Sequence, residues 1–236
     1  MKKITLYSGA VIALLTSVVL GTGLVHADET GDSATSEAKI VFTGDNTDPN
    51  VPVDPNNPDT PDDPNNPVDP DDPGNHGTGD KGPLAINYVS NITFGKKQIS
   101  TGNEVYNAQN ANPRIQITDK RGVEGGWTLT AAASKFTASD TSELKGAVLS
   151  FKNGVANTTS GNQSSAPTTS DFTFNNEEAK PVMSATSLAG QGLWVDVFNG
   201  EERNNSNVQL AVPAGSAQAK EYTATITWTL AATPAE

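Results

Sequence analysis

From residue 83 onward, apolar and polar residues alternate in short runs, and nowhere does an apolar stripe recur at helical spacing. Strand-like runs at 85–93, 114–118, 127–132, 147–152, 171–174, 193–198, 208–212 and 222–230 are separated by Gly, Asn and Pro. This pattern predicts an all-β, β-sandwich-like domain over 83–236. The last run alternates most cleanly. Tyr222, Ala224, Ile226, Trp228 and Leu230 share one face, and Thr223, Thr225, Thr227 and Thr229 share the other. Trp194, in Leu193-Trp194-Val195, alternates in the same way and reads as core.

Ahead of this domain the pattern changes. Nine prolines from Pro49 to Pro73 recur at every third residue, with Asp, Asn and Val between them. Three residues per turn is the period of polyproline II, so the expectation over 48–82 is a disordered, extended and solvated spacer. On that expectation the spacer supplies reach alone, and His76 is a linker residue. Calcium binding by its aspartates lacks the loop spacing and the glycine turn of a dedicated site. Within 28–47, the apolar patch at 38–43 has the character of a possible short strand.

The chain opens Met1-Lys2-Lys3, followed by a mostly apolar run over 4–25 that ends Val25-His26-Ala27. That is the layout of a signal peptide over 1–27, cleaved between Ala27 and Asp28. A retained membrane anchor is the competing reading. Polar dilution by Thr5, Ser8, Thr16, Ser17 and Thr22 favours cleavage, with no membrane insertion afterwards. The last residues carry neither an apolar tail nor a sortase-type signal, so attachment at a surface is expected to be non-covalent.

Charge refines the division. Of the formal net charge of -12, residues 83–236 hold only -2, from 13 acidic and 11 basic residues. The acidity belongs to the tract, and no basic patch offers a nucleic-acid site. The chain has no Cys, and both histidines, His26 and His76, precede the domain. Disulfides, thiolate chemistry and a Ser-His-Asp set are thereby excluded, and a zinc site nearly so. No catalytic, metal or cofactor residues are expected. A two-carboxylate hydrolase is disfavoured, because the domain's carboxylates sit mostly in loops.

One tripeptide occurs twice: Trp127-Thr128-Leu129 and Trp228-Thr229-Leu230. On a strand, each copy puts Trp and Leu on one face and Thr on the other. The flanks are Gly82-Pro83-Leu84 at the domain start, Arg121-Gly122 and Gly125-Gly126 before the first copy, and Lys220-Glu221-Tyr222 before the second. With these, the chain resembles the WxL family of Gram-positive surface proteins, as a small member with one such domain. The resemblance implies a secreted, extracellular protein held non-covalently on the cell wall, with peptidoglycan as receptor. It also implies companion surface proteins as partners, one of them membrane-anchored. The six motif residues are the candidate wall-binding set. Their rings either line a ligand surface or form a core pair that defines the fold. The alternative reading is an adhesin or assembly subunit whose domain mainly binds a companion or host protein.

Overall fold

In the computed structural model, which describes residues 35–44, 50–63, 69 and 72–233, each of the eight alternating runs contains a strand. The described residues form no helix. In chain order the strands are β1 (Leu84–Val89), β2 (Glu104–Ala108), β3 (Arg114–Asp119), β4 (Trp127–Ala133), β5 (Val148–Phe151), β6 (Val155–Thr158), β7 (Thr168–Thr169), β8 (Phe172–Phe174), β9 (Lys180–Ala185), β10 (Gly192–Val197), β11 (Asn205–Val212) and β12 (Ile226–Ala231). The class is all-β, as expected. The strands divide among three antiparallel sheets, ordered β1-β3-β10-β6, β2-β11-β5-β8 and β12-β4-β9-β7.

The inward rows of the three sheets enclose a common core. Its densest part is aromatic: Phe151 stacks on Phe172 at 4.7 Å, and Phe198 meets Phe151 edge-on at 5.2 Å. Trp194 is buried, as its alternation suggests, and its indole N–H donates to the Gln191 carbonyl. Pairings join strands far apart in sequence, since β4 and β12 are neighbours.

The chain divides into two compact units, Met1–Ile40 and Val41–Glu236. In the first, residues 35–40 are exposed and without regular structure, and 41–43 at the start of the second are the same. The strand expected at 38–43 therefore does not form, and Phe42 is 84% exposed. Three successive apolar side chains point to both sides of an extended backbone, so no single face of the segment can be buried. The signal-peptide segment, with Ala27 and Asp28, lies outside the described residues.

The Pro/Asp tract departs most from expectation. Its described residues do not run free; they are folded against the outer face of the β1-β3-β10-β6 sheet. Residues 50–63 double back, with Val53 bridging Pro61 and the Asp62 N–H donating to the Pro52 carbonyl. Val53 is buried against Val195 and Val197. Gln116 accepts from the Val53 N–H and donates to the Val51 carbonyl, both at 2.9 Å. The aspartates find donors in the domain instead of repelling one another. Asp62 pairs with Arg114, Asp59 takes the Ser160 N–H and hydroxyl, and Asp72 takes the Asn91 N–H and amide. Farther on, Thr78 donates to the Asn87 carbonyl, which covers the outer edge of β1. His76 is exposed, as a linker residue would be. Residues 64–68, 70 and 71 lie outside the description.

This cover explains β3. Its alternation of Arg114, Gln116 and Thr118 with Ile115 and Ile117 reads as one wet face and one dry face, yet all six residues are buried. The polar face meets the polar tract. Arg114 is 1% exposed, stacks 4.0 Å from the Tyr88 ring and uses only one of its guanidinium nitrogens on Asp62. Burial also pushes the Tyr88 hydroxyl up to about 12.

Candidate functional site

The two Trp-Thr-Leu copies lie on adjacent strands. Leu129 of β4 is opposite Leu230 of β12, Thr130 opposite Thr229, and Ala131 opposite Trp228. The indoles share the inward row without forming a pair. Trp127 stands at the start of β4 opposite Ala185, whereas Trp228 meets Phe172 edge-on at 6.2 Å. Trp127 and Leu129 are 0% exposed. Side chains so enclosed present no surface to a ligand, and they anchor the strand from beneath. Trp228 and Leu230, on the outermost strand of the sheet, are half-buried.

Two glycines shape the seat of Trp127. Its indole N–H donates to the Gly190 carbonyl at 3.1 Å, and a Cβ on Gly190 (φ 70°) would come within 2.7 Å of that nitrogen. A Cβ on Gly126 would collide with the Ala185 carbonyl at 2.0 Å. Arg121 fixes the approach to β4. It pairs with Asp119 at 2.8 Å and donates to the Gly125 and Gly126 carbonyls. Before β12, Lys220 pairs with Asp140 and, as the largest influence, holds that carboxyl well below the usual range. The flanking residues thus tie down the segments that lead into the two motif strands.

The threonines of the motif point outward. Across the sheet, Thr168 of β7 is opposite Ser184 of β9, and Ser184 is opposite Thr128 of β4. The next row holds Thr130 and Thr229, with Thr227 beyond on β12. Hydroxyls from four adjacent strands, spaced about 4.8 Å apart, form an uncharged polar face, in which Thr128 donates to the Thr233 carbonyl and Thr130 to the Thr229 carbonyl while their oxygens remain acceptors. Thr128 and Thr229 were legible from the motif. Thr130, Thr168 and Ser184 join them only through the sheet order.

A second buried feature lies elsewhere. Asp196 of β10 is 0% exposed, and neither carboxylate oxygen has a hydrogen-bond partner among the described residues. A Cβ on Gly154 would approach its Oδ1 to 2.4 Å, so glycine makes the room that the carboxyl occupies. Burial, with Asp171 adding repulsion, pushes its pKa up to about 7. The native state therefore holds a proton that the unfolded chain releases near pH 3.9. Stability should fall as pH rises from about 4 to about 7 and level off above that. Asp196→Asn is expected to remove this slope, a difference on the order of 2–4 kcal/mol between pH 5 and pH 8. Denaturant midpoints of both proteins at the two pH values check it, and parallel pH profiles would refute it. No cluster of three or more His, Asp or Glu suited to a metal occurs among the described residues.

A family model described as "WxL domain surface cell wall-binding" matches residues 29–234, nearly the whole chain. No curated protein and no solved structure matches. The matched span includes the Pro/Asp tract, in accord with its packing onto the sheet.

Proposed function

The chain belongs to the WxL family of surface cell wall-binding domains, and from that membership we propose that it holds peptidoglycan non-covalently through the outward face of the β12-β4-β9-β7 sheet. Membership makes it a protein of the cell surface associated with the wall, in a family of binding domains and not of enzymes. The reading extends to secretion after cleavage between Ala27 and Asp28, and to companion surface proteins, one of them membrane-anchored.

The observation that carries the proposal is the uncharged hydroxyl face. A glycan strand is neutral along its sugar backbone and dense in hydroxyls, so it is best met by donors and acceptors without net charge. The negative charge of the chain is concentrated in the tract, against a different sheet. In this reading Trp127 and Leu129 keep the face flat from beneath, while Thr128 and Thr229 contact sugar. The exposed rims of Trp228 and Leu230 border it.

Sedimentation with purified sacculi tests this. The double variant Thr130→Glu/Ser184→Glu puts two charges on the face without touching the core and is expected to lower affinity about tenfold, or 1.4 kcal/mol. Thr101→Glu, in an exposed bend before β2, should bind like the unaltered protein. Unaltered protein that fails to sediment with sacculi would overturn the wall reading. Equal binding by the double variant would move the contact off this face.

A further inference from the structure

Strand β12 is the edge of its sheet, and it lacks the devices that usually protect an edge. Its sequence, Ile226-Thr227-Trp228-Thr229-Leu230-Ala231, contains no charge, no proline and no bulge. The other edges differ. β7 and β8 have two and three residues, β1 is covered by the Thr78 segment, β6 lies against the tract with the Asn157 amide donating to the Pro55 carbonyl, and β2 begins with Glu104 and pairs through a register shift.

The register shows which backbone groups β12 leaves unpaired. The Ser134 N–H donates to the Thr225 carbonyl, so Thr225, Thr227 and Thr229 turn their backbone groups toward β4. In an antiparallel ladder the alternate residues turn theirs away. The N–H and C=O groups of Ile226, Trp228 and Leu230 therefore face outward and have no partner among the described residues. The side chains of the same three residues form the half-buried apolar row.

We infer that β12 is a self-pairing edge, which joins two copies of this chain into a dimer through antiparallel β12–β12 addition about a two-fold axis at Trp228. The occupant follows from the strand itself, which reads nearly the same in both directions about that residue: apolar, Thr, Trp, Thr, apolar. Centring the axis there places Trp228 opposite its own copy, Ile226 opposite Leu230 of the partner subunit, and Thr227 opposite Thr229 of the partner subunit. All three outward-facing residues then fall at hydrogen-bonded positions of the new ladder. Each half-exposed indole covers the other, and the threonines pair across strands, an arrangement that sheets favour. Such an interface is isologous and closes after two copies, so it makes a dimer and not a fibre. β12 itself carries no charge, and the acidic tract packs on a different sheet, so repulsion at the joining edge is small.

The dimer unites the four-stranded sheets of the two copies into one of eight strands, and their hydroxyl faces become continuous. Two linked faces would bind a repeating polymer with an avidity that neither has alone.

Sedimentation velocity of the purified protein over a range of concentrations tests the inference, with two variants. Thr227→Lys/Thr229→Lys sets lysine against lysine at both cross-strand positions and should abolish the dimer. Thr227→Lys/Thr229→Glu sets lysine against glutamate in the same frame and should restore it. Amide hydrogen exchange on the unaltered protein gives a second reading. The Ile226, Trp228 and Leu230 amides should gain protection with increasing concentration, while those of Thr227 and Thr229 are protected throughout. Unaltered protein that stays monomeric at every concentration would overturn the inference, and so would a Lys/Glu variant that stays monomeric where the unaltered protein dimerises. So would a dimer indifferent to Lys/Lys substitution, or protection confined to some other strand. A monomer whose three edge amides become protected only when another surface protein is added would assign the edge to that protein instead.

Discussion

Replacing Trp127 with alanine is expected to cost about 3–5 kcal/mol of folding stability, the usual range for a fully buried aromatic residue. The void would open between β4 and β9, where Gly190 leaves room for the indole and supplies no side chain to collapse into the space. The Gly190 carbonyl would also lose its donor. Against a typical domain stability of about 5–15 kcal/mol, the variant would be marginal. Trp228→Ala removes a half-buried ring at the sheet edge and should cost less, about 1.5–3 kcal/mol. Equilibrium denaturation of the two variants side by side is the measurement. Equal losses, or a Trp127 variant within about 1 kcal/mol of the parent, would contradict the division of labour between the two copies of the motif.

The second large effect belongs to the tract. Asp62→Ala would leave the Arg114 guanidinium buried against Tyr88 and without its carboxylate, which typically costs about 3–5 kcal/mol. The fold can limit that loss by releasing residues 50–63 and letting water reach the arginine. Two readouts are therefore expected together: a lower denaturation midpoint and new protease cleavage within 50–63. The paired change Arg114→Met/Asp62→Leu removes both charges and should recover most of the loss, as replacement of buried ion pairs by apolar residues commonly does. An Asp62→Ala protein with unchanged midpoint and unchanged cleavage would mean that the tract is not held through this pair.

What could be read from the sequence follows from which forces act locally. Strands with one dry face and one wet face announce themselves by alternation, and β1, β3, β4, β5, β8, β10, β11 and β12 were all legible. β9 was not, because Pro181 interrupts it. The structure tolerates that proline where the register against β4 shifts between Leu129 and Thr130. β2 carries Glu104 and Asn107 on a sheet edge, β6 has Val155 as its one large apolar residue and β7 has only two residues, so none of them forms a recognisable run. The candidate site was half legible. The motif marked its two strands, but which of its residues point to solvent depended on the sheet order. The tract misled for a physical reason: proline periodicity reports a local backbone preference, whereas the partners of its aspartates are supplied by residues up to 101 positions away.

That separation bears on how the molecule is made. The cover is synthesised before the surface it covers, so when residues 50–63 emerge, the β3 and β10 faces that will receive them do not yet exist. Val53 must wait for Val195 and Val197, and Asp59 for Ser160. Contacts closed over such distances are late and slow, because the loop entropy is lost before any contact repays it. The sheets can assemble first from β1 to β12, with the acidic tract, highly charged and poor in apolar residues, staying soluble in the meantime. Docking of the tract then acts as a terminal latch, set only once both β3 and β10 are in register, and a chain that misaligns either strand is left with an open clasp that proteases can find.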